Sequence, residues 1–229
     1  MRGIFAWRVG DFLTEVRALT PELAEKLRAV VDFDGNVVWE RQILNANGSF
    51  FVLWSVSLHP TGVYMTGQVQ ESFFGVPERG GNGNTSQIVG MLRKYDVEGN
   101  EIWTRKIKGR PEGGQGTAFT GGKRVRVSDA GVFVSSNLSG LFAGQLPVGS
   151  QSDTNECRTR FGRFYDQLDA YVRMYDFDGN VIWTRQFGSR RFDIALDLAP
   201  VGNSVYALGD TACRIDPSQT LLGVRDAYL

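Results

Sequence analysis

Two closely spaced pairs of carboxylates, Asp32 with Asp34 and Asp176 with Asp178, are the residues of this 229-residue chain that most resemble a metal loop. Calcium takes about six to eight oxygens, and an EF-hand spreads its ligands over about twelve positions. Each pair here offers two carboxylates and then runs into an apolar, β-branched stretch. Both therefore read as turns, in which a leading Asp accepts a hydrogen bond from the backbone two residues on. His59, the single histidine, stands beside Pro60 with no metal-binding histidine motif around it. Without partners it reads as a solvent-exposed turn residue rather than a general base. Residues 80–84, GGNGN, lack the Lys-Ser/Thr of a phosphate cradle and read as a flexible loop, and no Gly-x-Ser-x-Gly motif occurs. Cys157 and Cys213, the only cysteines, form no Cys-x-x-Cys pair, so neither a zinc site nor a disulfide framework is written here. The expected set of catalytic, cofactor-binding and metal-ligating residues is empty.

Basic residues gather at Lys106, Lys108 and Arg110, at Lys123, Arg124 and Arg126, and at Arg158, Arg160 and Arg163. Such clusters offer a groove for an acidic glycan or polyphosphate, and solvated strand edges and loops are the plainer reading. Lys plus Arg equals Asp plus Glu, 25 against 25, so no net field draws the chain to nucleic acid or anionic lipid. No apolar run approaches the roughly eighteen residues of a membrane helix, and the opening segment meets charge too early for a secretory signal. The chain reads as soluble, with export left open.

The elements that must position these residues are written nearly three times. Residues 31–44 (VDFDGNVVWERQIL), 95–109 (YDVEGNEIWTRKIKG) and 175–188 (YDFDGNVIWTRQFG) share an Asp-x-Asp/Glu-Gly-Asn run, then Trp39, Trp103 or Trp183, then Arg41, Arg105 or Arg185. The glycine fits the positive-φ position that closes a short hairpin loop. A period of two then puts Trp, Arg and the following Ile43, Ile107 or Phe187 on one face. The Arg stem can lie along the indole with its head in water. Glu40, Thr104 and Thr184 take the opposite face.

A second element follows each tryptophan, at residues 58–67, 127–136 and 199–209, with a turn glycine at Gly62, Gly131 or Gly202. Val63-Tyr64, Val132-Phe133 and Val205-Tyr206 come next, which reads as another hairpin. Two hairpins per unit make a four-stranded antiparallel sheet, the blade of a propeller. Successive tryptophans lie 64 and 80 residues apart, so insertions fall between hairpins, and residues 146–168 read as an exposed loop. No helical period runs through the units.

The stretch DAYVRMYDFDGNVIWTRQFG, residues 169–188, closely resembles the SBBP repeat, a β-propeller repeat of bacterial and archaeal proteins. LFAGQLPVG, residues 141–149, resembles that family's linker between hairpins. The resemblance covers residues 27–229 and implies a repeat of secreted or surface proteins that acts as a structural or binding module. It implies no family-wide catalytic set and no cofactor. YDFDGNVIWTRQ is also similar to the tryptophan motif of pyrroloquinoline-quinone propellers, which are dehydrogenases. Against an enzyme of that kind stand the lack of an adjacent cysteine pair, too few blades to enclose a cofactor, and no Asp or Glu assignable as its base.

The expected architecture is all-β, a partial β-propeller of about three to four four-stranded antiparallel blades. A lead-in at residues 1–26 precedes units at 27–88, 89–168 and 169–225, with a new unit starting at 226. Residues 20–22, Thr-Pro-Glu, make a good helix start, so a short helix at 21–29 competes with the strand that the repeat asks for at 27–31. Trp39, Trp103 and Trp183 are expected to pack blade to blade, while Trp7 and Trp54 are freer. The variable loops, residues 68–88 and 137–168, are the expected surface for a protein or glycan partner. The expected function is a non-enzymatic segment of a larger extracellular or cell-surface protein. The alternatives are a fragment of a quinone-dependent dehydrogenase, and a filament or surface-layer component that self-associates through open blade edges.

Overall fold

The structure, a computed structural model, describes residues 30–31, 37–39, 51–70, 88–110, 119–145, 168–189, 191–212 and 226–228. Every regular element among them is a strand, and all named strand pairs are antiparallel. In chain order they are β1 (Val30–Val31), β2 (Val37–Trp39), β3 (Phe51–His59), β4 (Gly62–Gln70), β5 (Ile88–Tyr95), β6 (Glu101–Ile107), β7 (Arg124–Ser128), β8 (Gly131–Leu138), β9 (Asp169–Tyr175), β10 (Val181–Phe187), β11 (Asp193–Val201), β12 (Ser204–Thr211) and β13 (Asp226–Tyr228). They form sheets of order β3-β4-β5-β6, β7-β8-β9-β10, β11-β12-β13 and β1-β2. The helix expected at 21–29 lies outside the described residues, and Val30–Val31 is strand, as the repeat register requires.

The sheets are offset from the sequence units by one hairpin. Each four-stranded sheet begins with the glycine hairpin of one unit and ends with the tryptophan hairpin of the next. Burial explains the offset. β4, β5 and β8 bury nearly every residue, whereas most residues of β3 and β6 are only half-buried or exposed. A strand covered on both faces belongs in the middle of a packed sheet, and a part-exposed one belongs at an edge. Two of the long sequence insertions, 71–87 and 139–168, therefore fall at the same place in successive sheets, between the second and third strands.

All three tryptophan hairpins share one register. Val30 faces Trp39 with Val31 opposite Val37; Lys94 faces Trp103 with Tyr95 opposite Glu101; Met174 faces Trp183 with Tyr175 opposite Val181. Each carries the same one-residue irregularity beside the turn. A bulge recurs in the first strands too, at Leu53/Ser55 in β3 and Ala195/Asp197 in β11, which raises the local twist.

The sheets pack face to face in series, with β3 against β7 and β11 against β7, β8 and β9. The main core lies between the first two, where Tyr64, Leu92, Trp103 and Ile107 meet Val125, Val132, Val134, Leu138, Tyr171 and Tyr175. A second cluster of Phe133, Val172 and Leu198, with Trp183, Phe187 and Val205 against it, joins the second sheet to the third. Polar ties run between the first strands. Ser55 Oγ donates to Val125 O, the Val127 amide donates to Ser57 Oγ, and Arg124 Nε donates to Leu196 O at 3.2 Å.

Candidate functional site

The repeated residues converge where one sheet's tryptophan hairpin meets the turn of the next. Residues 176–180 form that turn, closed by the Gly179 amide donating to Asp176 O and the Asp176 amide donating to Asn180 O. The Asp176 carboxylate accepts from the Asp178 amide at 3.0 Å, from the Asn180 amide at 2.8 Å and from Asn180 Nδ2 at 2.9 Å. Asn180, by side chain and then backbone, holds this carboxyl below the usual carboxylate range, and Asn100 does the same for Asp96. The acid pair read in the sequence as turn chemistry is that, with its leading carboxylate fully engaged. Asp32 and Asp34 lie outside the described residues.

Because the side chain of Asp176 satisfies the amides, the turn is left presenting carbonyls outward. Trp103 Nε1 donates to Phe177 O at 3.2 Å, and Lys94 Nζ donates to the same oxygen at 3.1 Å. Arg105 Nε donates to Gly179 O at 3.1 Å and Nη2 to Asp178 O at 2.7 Å. The Arg105 guanidinium lies 5.0 Å from the Trp103 ring centroid, so the expected stacking is present. Its head, expected in water, is instead spent on the neighbouring turn. Gly179 sits at φ 81°, where a Cβ would stand 2.8 Å from Arg105 Nε. Glycine is required there twice over, by backbone and by contact.

Each clamp is buttressed from its own sheet. Arg93 Nε donates to Thr104 Oγ1, and Arg173 Nε donates to Thr184 Oγ1 at 2.8 Å. Trp103 meets Tyr64 edge-on, and Trp183 meets the equivalent Phe133 at 6.2 Å. These buttresses escaped the sequence reading although a signal existed. An arginine two residues before the turn tyrosine recurs with a threonine just after the tryptophan, and the first unit, with Ala29 and Glu40 at those positions, has neither.

His59 corrects its expectation. Its side chain is only 12 % exposed, because the Phe177 ring stacks on it at 5.0 Å. Nε2 lies 3.2 Å from Asp129 Oδ1 and Nδ1 lies 2.9 Å from Thr61 Oγ1, which in turn contacts Tyr64 Oη. The line resembles an acid–base relay, yet the Thr61 amide also donates to Nδ1 and Asp129 is fully exposed. What it does is tie three turns together, those of β3–β4, β7–β8 and β9–β10.

Among the basic clusters, Arg124 and Arg126 both pair with Asp197 of the third sheet, at 3.2 and 2.8 Å. Lys123 Nζ stands 5.1 Å from the Trp54 ring. These cations staple sheets rather than line a free groove. Lys106 and Lys108 are also partnered, while Arg158, Arg160 and Arg163, both cysteines, residues 80–84 and Trp7 lie outside the described residues. Among the described residues no three His, Cys, Asp or Glu side chains gather as a metal site, and no helix is long and apolar enough to cross a membrane.

One buried acid stands apart. Asp193 accepts from the Ser189 amide at 2.6 Å and from Ser189 Oγ at 2.9 Å. Burial nonetheless pushes its carboxyl up to about 7, against the hydrogen bonds of Thr211 and Ser189. Compared with known proteins, the chain matches no protein-family model and no curated sequence.

Proposed function

We propose that the chain is a non-enzymatic β-propeller module of the SBBP-repeat kind, a structural or binding segment of a secreted or surface protein. The observation that carries this reading is the clamp of Trp103 and Arg105 on the carbonyls of residues 177–179 in the next sheet. At this copy of the repeat the tryptophan and arginine are spent on holding one sheet to the next. The side-by-side packing of the first strands β3, β7 and β11 supports an arrangement about a common axis. The ligand surface of such a module is the end away from the hairpin turns, where both long insertions emerge; it would take a protein or glycan.

Crystallographic determination tests the fold: the reading expects successive sheets around one axis with β3, β7 and β11 innermost, and sheets stacked without an axis overturn it. Incubation with pyrroloquinoline quinone and calcium, then desalting, tests the function. No retained quinone absorbance and no dye-linked alcohol oxidation is expected; retained quinone with turnover overturns the non-enzymatic reading.

A further inference from the structure

Trp54 belongs to none of the hydrophobic clusters that hold sheet to sheet, and it is 38 % exposed. The bulge in β3 puts it there. Leu53 pairs with Gly67 and Ser55 with Thr66, so Trp54 is the extra residue, re-aimed out of the strand's alternation. The same level recurs on the other first strands, where Ser55, Arg124 and Asp197 each face the fifth residue of the second strand, Thr66, Ser135 and Leu208. Trp54, Lys123 and Leu196 immediately precede them and are therefore equivalent.

Lys123 is set in the seam between the first two sheets by the residues before it. A Cβ on Gly122 would stand 2.5 Å from Thr66 Oγ1 and 2.6 Å from Gly67 O, and one on Gly121 would strike Ser136 Oγ. Only glycine admits so close an approach of backbone to both sheets. Tyr171 Oη donates to Gly121 O, and the Lys123 amide donates to Ser135 O at 2.9 Å. The lysine stem thus starts from a fixed point, and Nζ stands 5.1 Å from the Trp54 ring centroid.

Charge on this seam is not balanced. Arg124 and Arg126 share the one carboxylate of Asp197, while Lys123 staples through the ring alone and meets no carboxylate among the described residues. An exposed indole offers a flat apolar surface with an N–H donor at its rim, and that nitrogen has no acceptor among the described residues. The ammonium beside it is a point charge with rotatable donors. Their complement is a ring with an apolar face, hydroxyls around its edge and a negative charge. That describes an acidic sugar. A polyphosphate would engage the charge and leave the indole idle, and a nucleic acid asks for a run of unpaired cations that Arg124 and Arg126, held by Asp197, do not supply.

We infer that Trp54 and Lys123 form a binding site for an acidic glycan, a pyranose lying with its C–H face on the exposed indole and its carboxylate or sulfate on the Lys123 ammonium. The inference rests on the reading of the chain as a binding module and deepens it, placing a glycan contact on the first strands. It needs only that β3 packs on β7, with or without a common axis.

Calorimetric titration of the full chain with trigalacturonate and with galactose 6-sulfate tests this. Saturable binding of at least one is expected, at least about tenfold tighter than its neutral counterpart, galactotriose or galactose, and weakening as salt is added. Which of the two binds names the anion. Trp54→Ala lowers the affinity at least about tenfold, Lys123→Gln brings the acidic sugar down to its neutral counterpart, and Lys123→Arg keeps most of the preference. Lys123→Gln alters only a side chain that reaches solvent, so it keeps the test decisive if Trp54→Ala fails to fold. Binding of neither acidic sugar, equal affinity for acidic and neutral sugars, or variants that bind like the wild type overturns the inference. The binding-module reading survives each of these and falls instead on retained quinone with turnover.

Discussion

Arg105 and Gly179 meet across the boundary between two sheets, the guanidinium Nε donating to the glycine carbonyl at 3.1 Å while Nη2 takes Asp178 O. A planar donor fork set on two successive backbone carbonyls reads conformation rather than side chains. It therefore holds the turn by its shape. That is why the turn is written so consistently: Asp to consume the amides, Gly to expose the carbonyl, Asn to lock the Asp.

Gly179→Ala is expected to be far costlier than Gly202→Ala. Both glycines have positive φ, 81° and 57°, but a Cβ at Gly202 meets nothing within 4 Å. Gly202→Ala then reports the left-handed backbone alone, about 1 kcal/mol. Gly179→Ala adds displacement of Arg105 and Trp103 and reaches roughly 2 to 3 kcal/mol. Urea unfolding of the pair checks the difference; equal midpoints would mean the clamp contributes nothing.

Arg105→Lys keeps the charge and loses the fork. A lysine reaches one carbonyl, and the stacking on Trp103 weakens. A loss of about 1 to 2 kcal/mol is expected, with Arg105→Ala no more than slightly worse. A silent Arg105→Lys in thermal or urea unfolding would show that charge, and not geometry, matters here.

Thr184→Val removes the acceptor of Arg173 Nε without changing side-chain volume. Leaving a half-buried guanidinium nitrogen unpaired costs about 1 to 2 kcal/mol, and Thr184→Ser restores most of it. Failure of serine to rescue would assign the effect to packing.

The hairpins were legible in the sequence because period-two apolar runs and turn glycines are local signals. Gly99 and Gly179 both take the expected positive φ. Sheet boundaries were not legible, since the repeat has the same period wherever one begins to count. Only the two-sided burial of β4 and β5 decides that they are neighbours. The clamp was half visible: the stacking of Arg105 on Trp103 follows from spacing, but its carbonyl partners lie more than seventy residues away. His59 was misplaced for the same reason, its cover coming from Phe177 in another sheet.

Tyr175 and Tyr171 should respond oppositely to loss of the hydroxyl. Both are fully buried, but Tyr171 Oη donates to Gly121 O whereas Tyr175 Oη has no hydrogen-bond partner among the described residues. Tyr171→Phe abandons a buried carbonyl and costs about 1 to 2 kcal/mol, while Tyr175→Phe is neutral or stabilising. Denaturant midpoints that move together would contradict this.

Asp193 makes stability depend on pH in an unusual direction. Its carboxyl is raised from 3.8 to about 7 by burial, with Asp169 nearby pushing the same way and Thr211 and Ser189 opposing. The folded chain therefore keeps a proton that the unfolded chain releases. Stability falls as pH rises from about 4 to about 7, by on the order of 4 kcal/mol, and is flat above. Asp96 and Asp176, whose carboxyls are lowered, act with the opposite sign and below that window. Asp193→Asn should erase the slope. Urea midpoints at pH of about 4.5, 6 and 8 decide the matter through the difference between wild type and variant, which should grow in the variant's favour with each step upward. A constant difference would mean that Asp193 ionises alike in both states, the hydrogen bonds from Ser189 and Thr211 offsetting its burial.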